Sequence, residues 1–306
     1  MHELRLSGVT RTFGDRRALE DVTFTVRPGR VTGFIGANGA GKTTAMRIVV
    51  GVLAPDAGTV TWGDRPVTRA DRRRFGYMPE ERGLYPKMPV LEQLVYLGRV
   101  HGLRTGLARE RAEALLERLA LAERAGDLLQ SLSLGNQQRV QVAAALVHDP
   151  TALVLDEPFS GLDPLAVDAM AELLQEHAAG GVPVLFSSHQ LELVERICDD
   201  VVIIDHGRVV AAGSAQEVRA AHTGRRLRLR VEVPGGSGTP VAMGPEPLTG
   251  VPGVVGVRAD GERLLVDLTD DADDQAVLTA AQRAGTVREF APVVPTLAQI
   301  FREVVR

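Results

Sequence analysis

The stretch Gly36-Ala37-Asn38-Gly39-Ala40-Gly41-Lys42-Thr43 fits the pattern G-x-x-x-x-G-K-[ST]. It stands between an apolar run, Val31-Thr32-Gly33-Phe34-Ile35, and a helical segment that runs from Lys42 towards Gly51. Strand, glycine-rich loop and helix in that order make a phosphate cradle, because the glycines let backbone amides converge on phosphate oxygens and the helix start adds a favourable dipole. Lys42 is expected to reach the β- and γ-phosphates, and Thr43 to offer its hydroxyl to Mg²⁺. Lys42 and Lys87 are the only lysines in a chain that otherwise uses arginine, which suggests that position 42 requires a slim point charge rather than a planar fork.

Outward from the cradle the pattern is α/β. Upstream, Leu4 to Val9 and Val22 to Val26 alternate apolar with polar residues and read as half-buried strands. Downstream, leucines and alanines recur at helical spacing between Leu91 and Leu129, which predicts a small helical subdomain. Ala152 to Leu155 and Val182 to Ser187 are short apolar runs separated by a helix around Leu165 to Ala178, the alternation of a parallel sheet; Val201 to Ile204 adds another strand. The texture changes near His222. Arg226 to Val233 alternates strictly, Pro234-Gly235-Gly236-Ser237-Gly238 breaks the chain, and the rest reads as strands near Val254 to Val257, Leu264 to Leu268 and Val287, with helices at Ala276 to Ala284 and from Pro295. We therefore expect two domains, residues 1–222 and a small α+β domain over 223–306.

Leu153-Val154-Leu155-Asp156-Glu157-Pro158 places two acids where an apolar strand emerges, the edge at which open α/β sheets build sites. Asp156 suits the holding of Mg²⁺, and Glu157 suits a general base that orients or deprotonates an attacking water.

Three more segments follow in order: Ser131-Leu132-Ser133-Leu134-Gly135-Asn136-Gln137-Gln138-Arg139-Val140, Ser160-Gly161-Leu162-Asp163 and Ser187-Ser188-His189. With the cradle and the two acids, they resemble the ABC transporter ATPases, as the signature motif, the D-loop and the H-loop; Phe13 resembles the aromatic that stacks on adenine. The resemblance covers roughly residues 1 to 220. It implies a P-loop NTPase fold of the ABC ATPase kind, with a parallel core sheet, an antiparallel β subdomain and a helical subdomain. It also implies ATP and Mg²⁺ as cofactors. Asn38, Gly39, Ala40, Gly41, Lys42, Thr43 and Thr44 would surround the phosphates, Thr43, Asp156 and Glu80 the metal, and Glu157, His189 and Lys42 would carry catalysis. Ser133, Gly135, Asn136 and Asp163 would act on a partner chain's nucleotide, in a head-to-tail homodimer or heterodimer with two sandwiched ATP sites.

Two departures stand out. Leu134 and Asn136 replace the first glycine and the glutamine of the family's common Leu-Ser-Gly-Gly-Gln. In Gly76-Tyr77-Met78-Pro79-Glu80-Glu81-Arg82-Gly83, Glu80 aligns with the Q-loop glutamine and adds negative charge beside a triphosphate. Residues 223–306 resemble the small carboxy-terminal domain of ATPases from drug-, sodium- and ABC-2-type exporters, with Pro295-Thr296-Leu297-Ala298-Gln299-Ile300-Phe301 as its last helix. Export through a separate polytopic membrane permease is the direction this implies, from a cytoplasmic position on the inner face of the membrane.

Composition bounds the rest. With 306 residues and a formal charge of −4, the chain has the size for one large domain plus a smaller one and no strong field for nucleic acid, so no nucleic-acid partner is expected. The single cysteine, Cys198, excludes disulfide frameworks and reads as a small buried apolar side chain. No secretion signal opens the chain, and no window approaches the apolar length of a membrane span. Arg72-Arg73-Arg74 and the Arg226–Arg230 stripe read as solvated surface, and Trp62 as hairpin packing. Two rival readings stay open: an ABC ATPase acting on ribosomes or DNA, and a catalytically weak nucleotide-sensing module, the latter motivated by Leu134 and Glu80.

Overall fold

The computed structural model describes residues 2–81, 83–222, 225–234, 240–293 and 295–305. The expected chain break at Gly235–Gly238, the start of the second domain at Thr223 and the position Arg82 lie outside the described residues. The chain divides into two compact units, one running to Val218 and taking in the chain from Phe301, the other Arg219–Ile300.

In the larger unit, Leu4–Phe13 and Arg16–Val26 pair antiparallel and continue through Ala57–Trp62 to Arg65–Pro66 in a four-stranded sheet. Its alternation is one-sided: Leu4 and Leu6 are buried while Arg5 between them is exposed. Trp62 is buried in this layer with its ring 5.2 Å from that of Phe75 on the edge strand of the second sheet, a packing role that reaches beyond its own hairpin.

The central sheet has six strands in the order Arg208–Ser214, Asp200–Asp205, Val31–Ile35, Val184–Ser188, Ala152–Leu155, Phe75–Met78. All neighbours run parallel except the Arg208–Ser214 edge. Every residue of Val31–Ile35 and Ala152–Leu155 is buried, which is why these strands read as unbroken apolar runs rather than alternating ones. The register Ile35 to Ser188 and Leu155 to Phe186 lines up the carboxyl ends of three adjacent strands. The cradle, the acid pair and His189 thus leave the sheet side by side.

Helices Val90–Val100, Thr105–Arg118 and Leu134–Leu146 form the helical part, with Pro164–Ala179 following the acid pair. Cys198 is free, and burial pushes its thiol well above the ordinary range, in keeping with an inert apolar role.

In the smaller unit, Arg226–Pro234 pairs antiparallel with Pro240–Ala242, Arg263–Leu268 and Thr286–Pro292, and Val254–Asp260 adds to Arg263–Leu268. Helix Asp274–Ala284 supplies Val277 and Ala281 to a core shared with Leu227, Leu229 and Val231. The alternate residues form a lattice of ion pairs: Arg226 with Asp267, Arg228 with Glu289 at 2.6 Å, and Arg230 with Glu262 at 3.6 Å. The arginine stripe is therefore charge-compensated surface, and such exposed pairs contribute little stability each.

Candidate active site

Two glycines of the cradle are dictated by geometry. A Cβ on Gly36 would come within 2.6 Å of the Ile204 carbonyl oxygen, and one on Gly41 within 2.7 Å of the Ala18 carbonyl oxygen, with Gly41 at φ +112°. Gly41 precedes helix Lys42–Val49 without any side-chain cap, so the helix's first amides are left to an anion. The Lys42 ammonium, buried, donates to the carbonyls of Gly36 at 2.7 Å and Ala37 at 3.2 Å.

The acid pair is held by one hydroxyl. Ser187 Oγ donates to Asp156 Oδ1 at 2.6 Å and accepts from the Glu157 amide at 2.8 Å. Asp156 is 1% exposed, and its Oδ2 has no partner among the described residues. A buried carboxylate oxygen without a donor is costly unless a cation or ordered water meets it, and Thr43 lines the same cleft. The oxygen-only donor set fits Mg²⁺.

Glu157 sits at φ +50°, a left-handed conformation that costs a non-glycine residue about 1–3 kcal/mol. Its backbone is pinned on both sides: the amide by Ser187, the carbonyl by Gln138 Nε2 at 2.8 Å. The result aims its carboxylate at His189, whose Nδ1 lies 2.9 Å from Oε2.

Of the residues expected from the sequence, Phe13, Asn38, Gly39, Gly41, Lys42, Thr43, Thr44, Glu80, Asp156 and Glu157 line one cleft of about 390 Å³. Phe13 is exposed there, with the Arg11 guanidinium 4.9 Å from its ring centroid. Ala40 is buried behind the loop and is not among the lining residues. Ser133, Gly135, Asn136 and Asp163 also do not line the cleft. Ser133 caps helix Leu134–Leu146 through the Asn136 amide, the Asn136 side chain accepts from Arg139, and Asp163 caps helix Pro164–Ala179 through the Ala166 amide at 2.9 Å. Leu134, 61% exposed, lines an adjoining cavity that shares Asn38, Glu80 and Glu157 with the cleft and also contains His189.

Sequence reasoning missed Ser187 and Gln138 as positioning residues, since their roles arise from bonds across 30 and 19 residues of chain. Ser187→Ala would strip Asp156 Oδ1 of its buried donor and free the Glu157 amide. We predict a stability loss of about 1–3 kcal/mol in thermal unfolding, together with a fall in hydrolysis that exceeds any loss of ATP affinity. Unchanged stability and turnover would remove Ser187 from this role.

This arrangement can bind a nucleoside triphosphate and activate a water against it. The family described as ABC transporter matches residues 19–160, and that described as ATP-binding protein DrrA1-3-like, C-terminal domain, matches residues 213–305. The chain is 34% identical over 300 residues to the uncharacterized ABC transporter ATP-binding protein YhaQ of Bacillus subtilis (strain 168), covering 98% of this chain and 97% of the relative. It is also 34% identical over 303 residues to the daunorubicin resistance ATP-binding protein DrrA3 of Streptomyces coeruleorubidus, covering 97% and 94%. A Nod factor export ATP-binding protein I, from Ralstonia nicotianae (strain ATCC BAA-1114 / GMI1000), is 37% identical over 218 residues, 70% of this chain and 68% of that relative. Among solved structures, an ATP binding subunit of an ABC transporter superposes with a TM-score of 0.66 at 34% identity, covering 71% of this chain and 92% of that one. With a relative described as an ABC transporter ATP-binding protein matching over nearly its whole length, the chain belongs to the ABC transporter ATP-binding proteins and is an ATPase of that family.

Proposed function

We propose that this chain powers export, binding MgATP in the cleft and working with a second ATPase chain, identical or homologous, and a separate polytopic membrane permease. The observation that carries the reading is the tie between Asp156 and Glu157 through Ser187 Oγ, which leaves one Asp156 oxygen unpartnered and sets Glu157 against His189 beside the Lys42 loop. Asp156, Thr43 and Glu80 would hold Mg²⁺, which supplies charge neutralisation at the β- and γ-phosphates. Lys42 binds the same phosphates. Glu157 takes the proton of the attacking water, and His189 orients the Glu157 carboxylate and contacts the γ-phosphate.

Ser133, Gly135, Asn136 and Asp163 stand apart from this chain's own cleft, which supports their use on the nucleotide of a partner. The exposed start of the thirteen-residue helix Leu134–Leu146 carries no acidic side chain in its first turn and can face a γ-phosphate there. We assign nucleotide binding to residues 1–222 and an accessory role to 223–306. Among the described residues no helix is long and apolar enough to cross a membrane; membership of the transporter family supports a peripheral cytoplasmic position on a separate permease. The names of the relatives, daunorubicin resistance and Nod factor export, support the outward direction.

Phosphate release by the purified chain tests the site. Turnover is expected in magnesium and is expected to vanish on chelation with EDTA, then return when magnesium is restored. Turnover that ignores EDTA would overturn the metal role of Asp156.

A further inference from the structure

We propose that Arg16 is a second phosphate-binding cation of the cleft, placed for the α- and β-phosphates that lie nearest the base. This rests on the reading of the cleft as an ATP site. Arg16 opens the strand Arg16–Val26 and is the cross-strand partner of Phe13, so the guanidinium and the adenine-stacking ring stand together on one hairpin. Its Nη2 donates to the Gly39 carbonyl at 3.2 Å, reaching over the middle of the cradle. Lys42 occupies the other end, on the carbonyls of Gly36 and Ala37. Both cations therefore rest on loop carbonyls, and an arriving phosphate offers each a charge-assisted bond in exchange.

The charge pattern points the same way. Arg11 and Arg17, its neighbours in the hairpin, pair with Asp56 and Glu20, whereas among the described residues Arg16 has no carboxylate partner. The cleft is lined by the carboxylates of Glu80, Asp156 and Glu157, against which Arg16 and Lys42 are the lysine and arginine cations. A polyanion entering that cleft meets excess negative charge unless the cations offset it, and Glu80 in place of a neutral glutamine makes the second cation more valuable. A guanidinium suits the task because its fork can meet two phosphate oxygens at once.

From Phe13 outward the nucleotide presents its α-phosphate before its γ-phosphate. Arg16 thus contributes binding common to ATP and ADP, whereas the γ-phosphate belongs to the machinery around Glu157. Binding common to the two nucleotides appears in the dissociation constants of both.

The test is equilibrium binding of ATP, ADP and adenosine to the full chain and its Arg16→Ala and Arg16→Lys variants, with steady-state kinetics and thermal unfolding alongside. We expect Arg16→Ala to weaken ATP and ADP equally, by about tenfold, with adenosine affinity and the thermal midpoint unchanged, and Arg16→Lys to recover part of the loss. Unchanged ADP affinity would overturn the proposal, as would an equal loss for adenosine, which would make Arg16 a brace of the hairpin, or a loss confined to ATP, which would move it to the γ-phosphate. A wild-type chain that binds neither nucleotide would instead remove the ATP-site reading itself.

Discussion

Glu157→Gln is expected to leave ATP binding intact and to lower steady-state hydrolysis by about 10²- to 10⁴-fold, the usual contribution of a positioned general base. The geometry makes this a clean substitution. The bonds that hold residue 157 in its left-handed conformation involve only its backbone, whose amide donates to Ser187 Oγ and whose carbonyl accepts from Gln138 Nε2, so they survive a change of side chain. An amide oxygen can still accept from His189, which lies 2.9 Å from the present carboxylate. What is lost is the capacity to take a proton. Single-turnover and steady-state phosphate release on the purified variant measure it directly, and turnover within a few-fold of the parent chain would remove Glu157 from the role of base.

Lys42→Ala is expected to weaken ATP binding by about 10²-fold and to abolish turnover at ordinary ATP concentrations. Two charge-assisted hydrogen bonds to phosphate oxygens are worth about 1.5–3 kcal/mol each, and the lower end applies because the ammonium must leave the Gly36 and Ala37 carbonyls to make them. Lys42→Arg should fail to restore affinity. The side chain is only 7% exposed, threaded among loop carbonyls, and a planar fork cannot follow the path of a slim ammonium. Titration calorimetry with ATP separates the cases; an alanine variant that binds ATP as tightly as the parent chain would contradict the cradle reading.

Much of this site was legible in the sequence because its demands are local. A backbone that must approach Ile204 at position 36 and turn through φ +112° at position 41 accepts little but glycine, and the apolar strands before Gly36 and Asp156 show in their unbroken burial. The roles of Ser187, Gln138 and Arg16 were not legible, because each depends on which distant segment the fold brings alongside. Strand limits slipped for a local reason of another kind. Val182 was expected to begin a strand, yet its amide closes the preceding helix on the His177 carbonyl, and Pro183 has no amide to give to a ladder, so the strand starts at Val184. In the smaller unit the alternation of Arg226–Val233 gave both strand and core face, Leu227, Leu229 and Val231, because a half-buried antiparallel strand writes its two faces into alternate residues. The ion pairs that neutralise its arginines come from Asp267 and Glu289 on other strands, which no single-strand pattern reveals.

Ser133 and Gly135 do not line this chain's own cleft, and the proposed function has a partner chain supply them. Light scattering on the Glu157→Gln chain, with saturating ATP and magnesium, weighs that claim. It should show the mass of two ATPase chains, formed with itself or with its homologous mate, falling back to one when nucleotide is withdrawn. A mass of one chain under both conditions, alone and mixed with that mate, would contradict it.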